Sequence, residues 1–100
     1  MGVIRREDFI FALGYEGDVA VVDGRSRGKY RRYTAVKLAE EGLFKPAVCA
    51  AVYDEDKDAL EKVLEIYNHK AASPVPSVDE LKRTLGVTEV PPGITKVNIY

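Results

Sequence analysis

The sequence predicts an all-α domain of five or six short helices in helical hairpins, followed by an extended C-terminal arm. Three observations carry that expectation. Ala59, Leu60, Val63, Leu64 and Tyr67 recur at helical spacing. Gly14, Gly42 and Gly86 each stand where a helix would stop in a left-handed C′ residue, with an apolar pair placed to close the turn. Three alanines within Ala47–Ala51 favour helix over strand on intrinsic preference.

Taken in chain order, a first helix runs through Asp8–Leu13 and ends at Gly14, with Ile10 and Tyr15 as its closing pair. Val19–Val22 follows as the second apolar helix of that hairpin, and Gly24–Tyr30 as a solvated, glycine-containing loop. Thr34 caps a helix carrying Val36, Leu38 and Ala39, which Gly42 ends with Leu43 set against Leu38. Pro46 suits the first turn of a helix over Pro46–Tyr53. Asp54, Glu55 and Asp56 then cap a helix over 56–69, and their charges complement its dipole.

Pro74 and Pro76 make residues 71–77 a semi-rigid connection. Ser77 and Glu80 form a capping box for a helix over Val78–Leu85, stopped at Gly86 with Val87 reaching back to Leu81. The resulting plan is a helical body at 1–70, the connection at 71–77, a short helix at 78–86 and an arm at 87–100. In the arm, Pro91-Pro92-Gly93 excludes helix, and Ile94–Tyr100 alternates apolar and polar residues like a strand in need of a partner edge.

One alternative competes with this plan. If Val19–Val22 and Ala47–Tyr53 are strands, residues 19–22 and 47–53 join in a parallel sheet and the domain becomes a small α/β fold. A glycine followed five residues later by an apolar run occurs at both Gly14 and Gly42, a 28-residue offset that hints at two stacked helical hairpins.

Composition excludes several classes of function. One hundred residues, 46% hydrophobic and 31% charged, suit a single globular domain that builds its core without metals or disulfides. The single cysteine, Cys49, lies among Ala47, Val48, Ala50 and Ala51, as a small buried hydrophobe would, so a disulfide-stapled scaffold is ruled out and a reducing cytoplasm is the expected compartment. Cys49 and the single histidine, His69, are too few for a zinc site, and no metal or cofactor is expected. No apolar run is long enough to span a membrane, and Met1–Arg6 meets charge where a signal peptide needs an apolar stretch. Gly2 is not a myristoylation site, because Arg6 stands where that motif wants Ser or Thr.

Catalytic motifs fail on spacing. Gly24-Arg25-Ser26-Arg27-Gly28-Lys29-Tyr30 has three residues between its glycines and a tyrosine after its lysine, whereas a phosphate loop needs four and a Ser or Thr. Asp54, Asp56, Asp58 and Glu65 fall at calcium-loop positions, but Ala59 replaces the glycine that the turn requires, and Leu60–Leu64 are helical. The turn at Ala12-Leu13-Gly14-Tyr15 resembles that of a helix-turn-helix, yet Val19–Val22 offers four apolar residues where a recognition helix needs polar ones. His69 has no nucleophile near it in sequence and suits the C-terminal end of a helix. An enzyme is therefore not expected.

Two surfaces remain. The first expectation is a non-enzymatic interaction domain that docks a protein partner or itself through Ile94, Val97, Ile99 and Tyr100 of the arm. The alternative is a nucleic-acid-binding regulatory module. Net charge is −1, but residues 1–50 carry 9 Lys/Arg against 7 Asp/Glu while residues 51–100 carry 6 against 9. The excess concentrates in Arg25, Arg27, Lys29, Arg31 and Arg32, which would meet phosphates, with Tyr30 and Tyr33 available to stack on bases.

Overall fold

A computed structural model describes residues 4–100, so the reading at Gly2 lies outside the described residues. The chain divides into two compact units. The first, here the sheet unit, comprises the described residues up to Arg32 together with Val90–Tyr100; the second, the helical unit, is Tyr33–Glu89. The divisions fall at 32/33 and 89/90.

In the sheet unit, α1 (Arg6–Ile10) precedes a hairpin of β1 (Ala12–Glu16) and β2 (Val19–Val22). Next comes α2 (Gly24–Tyr30), and after the helical unit the chain returns as β3 (Lys96–Ile99). The sheet order is β1-β2-β3, with β1 antiparallel and β3 parallel to the central β2.

Three expectations change here. Asp8–Leu13 is not one helix: α1 ends at Ile10, and Leu13 and Gly14 belong to β1. The left-handed glycine is Gly17 (φ 62°), which makes the two-residue turn Gly17-Asp18 between Glu16 and Val19. Val19–Val22 is a strand, because three β-branched side chains in four fit a pleated surface and resist a helix. Its alternation is plain, with Ala20 and Val22 fully buried and Val19 and Val21 half-buried.

The arm is not free. It enters the sheet as β3, pairing Ala20 with Val97 and Val22 with Ile99. Its start is tied to the hairpin turn, where the Asp18 carbonyl accepts the Thr95 N–H at 2.8 Å and the Thr95 hydroxyl donates to the Asp18 carboxylate. Among the described residues there are six helices and a three-stranded sheet, a predominantly helical fold rather than an all-α one. The α/β alternative is right at 19–22 and wrong at 47–53.

The helical unit follows the sequence closely. It holds α3 (Ala35–Glu40), α4 (Phe44–Tyr53), α5 (Lys57–Lys70) and α6 (Val78–Leu85). Thr34, Asp56 and Ser77 cap three of these helices, each side-chain oxygen accepting a backbone N–H three residues on. Gly42 (φ 82°) and Gly86 (φ 72°) end α3 and α6, with the Leu43 and Val87 N–H groups closing six-residue turns onto the Leu38 and Lys82 carbonyls. The connection at 71–77 is pinned by Asn68, whose side-chain amide exchanges two 2.8 Å hydrogen bonds with the backbone of Val75. Helix α4 forms the centre, with Ala47, Val48, Ala50 and Ala51 inaccessible to solvent. The suspected duplication dissolves, since the run after Gly14 is a strand and the run after Gly42 is this helix.

Cys49 is buried in α4, and burial pushes its thiol from 9.0 up to about 11, against the attraction of the Lys45 charge. A raised value favours the neutral thiol in the fold. Its contribution to stability is therefore complete below about pH 9 and is lost as the pH rises toward 11. Alkylation of Cys49 by iodoacetamide at pH 8 is expected to be about a hundredfold slower in the folded protein than in urea, the ratio that two pH units of thiolate population give. Equal rates would show that the thiol is open to solvent.

Candidate functional site

Both surfaces singled out in the sequence lie in the sheet unit, apart from Tyr33. The basic stretch is not a loop. It forms α2, which Asp23 caps by accepting the Arg25 and Ser26 N–H groups and the Ser26 hydroxyl. Those bonds, led by the one from the Ser26 hydroxyl, hold the Asp23 carboxyl below its ordinary value.

Helical spacing sorts the side chains of α2 into two faces. Asp23, Ser26, Arg27 and Tyr30 are half-buried, whereas Arg25, Gly28 and Lys29 are exposed at positions i, i+3 and i+4, and Arg32, past the end of the helix, is exposed as well. Arg31, also exposed, continues the helical backbone as the C-cap. On the inner face, the Arg27 guanidinium lies 2.5 Å from the carboxylate of Asp8, a residue only 4% exposed, and 3.9 Å from Glu7. Arg27 is therefore an anchor of α2 onto α1, while Arg25, Lys29, Arg31 and Arg32 face solvent.

The tyrosines are less open than stacking platforms need to be. Tyr30 packs against Phe11, ring centroids 6.2 Å apart, and carries the Lys29 ammonium 5.1 Å from its ring centre. Tyr33 is half-buried in the helical unit, with the Lys37 ammonium 5.8 Å from its ring centre.

Charge separates by unit. The sheet unit holds eight Lys/Arg against five Asp/Glu, a net of +3, and the helical unit seven against eleven, a net of −4. Six of the seven arginines are in the sheet unit, the exception being Arg83.

The second surface is the outer edge of β3. Of the four arm residues, Ile94 is buried at 4% exposure and Val97 is half-buried, whereas Ile99 is 53% and Tyr100 76% exposed. Backbone direction settles what the edge offers. The Lys96 and Tyr100 N–H groups donate to Asp18 and Val22, on the β2 side. Alternate residues along a strand turn their N–H and C=O groups to opposite sides, so Val97 and Ile99 present theirs to the open edge.

The other edge, β1, differs. Its register shifts between Ala12 and Gly14, and such a bulge spoils an edge for strand addition. Leu13, at the bulge, is 66% exposed and Tyr15 is 38% exposed. The sequence reading overlooked both, having placed them at a helix end.

Among the described residues no helix is long and apolar enough to cross a membrane, and no group of three or more His, Cys, Asp and Glu side chains is placed to hold a metal ion. Of the acidic run Asp54–Asp58, Asp56 caps α5 and Asp58 lies in its first turn, while Asp54 is the C-cap of α4. No family model, curated protein or solved structure matches the chain.

Proposed function

We propose that the protein is a non-enzymatic interaction domain that self-associates by pairing β3 with β3 of a second copy. One observation carries the reading: the described large hydrophobics that remain exposed, Leu13, Tyr15, Ile99 and Tyr100, all stand on the two edge strands or the residue that ends one, and only β3 has an unbulged edge.

The strand's own sequence supplies the partner. Antiparallel pairing about a two-fold axis at Asn98 sets Val97 against Ile99 of the second copy, Asn98 against Asn98, and Lys96 against Tyr100. Every apolar residue meets an apolar one, no like charges face each other, and the lysine meets an aromatic ring. The same register brings together Val97 and Ile99, whose backbone groups face outward, so the pair exchanges four backbone hydrogen bonds. Shifting the axis by half a residue would put side chains of opposite faces together. Shifting it by one, to Val97, leaves Ile99 opposite Thr95.

An edge this short buries little surface, which places the dimer in the weak, transient class. Sedimentation equilibrium up to about 1 mM, where an association of −4 kcal/mol is half-populated, is expected to show mass rising from 11.1 kDa toward twice that value. Ile99→Lys should remain monomeric. Asn98→Cys, whose Cα atoms would lie about 4.5 Å from each other in a non-hydrogen-bonded pair, should oxidise to a linked dimer, and Lys96→Cys should not. A monomer at every concentration, or a dimer indifferent to Ile99→Lys, would overturn the proposal.

A further inference from the structure

We infer that the outer face of α2 is a second, independent site, which binds the phosphodiester backbone of duplex nucleic acid without reading its sequence. Arg25 and Lys29 stand on that face at i and i+4, about 6 Å from each other along the axis, and Arg32, exposed two residues past the end of α2, follows them in the chain. They form a cationic row with no acid and no apolar side chain in it. Arg31 adds a fourth exposed cation beside the row. The inner face of the same helix is held by the Arg27–Asp8 pair and by Tyr30 on Phe11, so the row is presented on an anchored element.

Gly28 is the second observation. It lies in the middle of the helix, is exposed, has no left-handed backbone angle, and a methyl group added there would meet nothing within 4 Å. Packing gives no reason for a glycine, and its backbone freedom weakens the helix. A gap in the side-chain layer beside Arg25 and Lys29 has a use if a ligand comes up against the backbone there. A sugar-phosphate strand has the charge and the slimness to do so.

The chemistry of the face discriminates among polyanions. An amphipathic membrane-surface helix needs apolar side chains to enter the lipid, and the α2 row has none. Single strands are held by base stacking, but Tyr30 is half-buried under Phe11 and Lys29. A duplex carries its phosphates outward and asks only for positioned cations, which arginine's fork suits best.

The test is fluorescence anisotropy of the full chain with a labelled 20-bp duplex DNA, its single strand, and vesicles of phosphatidylcholine with phosphatidylserine, across a salt series. Three phosphate contacts predict micromolar duplex binding at low salt and a slope of log K against log salt near −2.7. Changing Arg25, Lys29 and Arg32 together to Gln should weaken binding at least about tenfold and flatten that slope, while Lys45→Gln changes neither. Gly28→Ala should raise Tm yet weaken binding about threefold. Ile99→Lys should keep the per-chain salt slope, so this site can fail or stand separately from self-association. Binding unchanged in the triple Gln variant, equal or tighter binding of the single strand or of the vesicles, or unchanged affinity in Gly28→Ala would overturn the inference.

Discussion

Replacing Arg27 by alanine is expected to destabilise the sheet unit by about 3 kcal/mol, measured by urea unfolding at neutral pH. The cost comes from the partner left behind. The Asp8 side chain is 5% exposed and Arg27 is its ion-pair partner at 2.5 Å, so the variant leaves a carboxylate away from water without its counter-charge. Removing one partner of a buried pair typically costs about 3–5 kcal/mol, and the low end applies because the Arg27 side chain keeps 20% of its exposure and neighbouring water can relax toward the gap. Replacing both members, Asp8→Leu with Arg27→Met, should recover most of the loss, because no charge is then left unpaired. A loss below about 1 kcal/mol for Arg27→Ala would mean that the pair is solvated like a surface salt bridge. The same variant separates the two roles of the basic helix. Arg27→Ala should lower thermal stability far more than the triple Gln change on the outer face, whose side chains are exposed.

The parts of this fold that were legible in the sequence are those written in local geometry. An N-cap is a side chain bonding to a backbone group three residues on, and Thr34, Asp56 and Ser77 all act as their positions suggest. Gly42 and Gly86 likewise end helices because left-handed backbone is needed there and an apolar residue follows. Gly14 has the same sequence signature but a strand's backbone, since Val19–Val22 downstream supplies a partner, and pairing with it outweighs the helical tendency of Asp8–Leu13. The decisive mark was Gly17-Asp18, a two-residue hairpin turn flanked by residues that pair. Treating Val19–Val22 and Ala47–Ala51 as equivalent runs concealed the difference between β-branched and alanine side chains, which sends one to a strand and the other to a helix.

Of the candidate sites, the cations were legible as a cluster but not as a face. Spacing at 25 and 29 becomes informative only once Asp23 and Ser26 are recognised as the start of a helix. That Arg27 turns inward could not be read, because its partner Asp8 lies nineteen residues away. The parallel pairing of β3 with β2 is more distant still, with Asp18 and Thr95 separated by 77 positions. Local pattern marks Ile94–Tyr100 as a strand but carries nothing about which edge receives it.

The second large effect is expected at Gly24, where fold and proposed function meet. This residue opens α2 at the point where the chain leaves β2, and its N–H donates to the Tyr100 carbonyl at 2.7 Å, extending the β2–β3 ladder past Ile99. A Cβ at Gly24 would lie 2.5 Å from Ile99 Cγ2 and 2.7 Å from the Tyr100 oxygen, and one of those atoms is backbone. Gly24→Ala therefore cannot be absorbed by a rotamer change alone. The end of β3 must move outward, breaking the Gly24–Tyr100 bond and straining the Tyr100–Val22 bond beside it, at about 1–3 kcal/mol for forced overpacking. Hydrogen exchange should register this as faster exchange at Tyr100, with the amides of the helical unit unchanged. The same displacement tilts Ile99 away from the register that pairs it with Val97 of a second copy, so Gly24→Ala should also lose the concentration-dependent mass increase. Gly28→Ala provides the contrast, since its added methyl group meets nothing and β3 stays in place. If Gly24→Ala still self-associates like the original protein while exchange at Tyr100 is accelerated, the pairing surface lies elsewhere on the molecule, and the exposed Leu13 and Tyr15 of β1 become the residues to replace next.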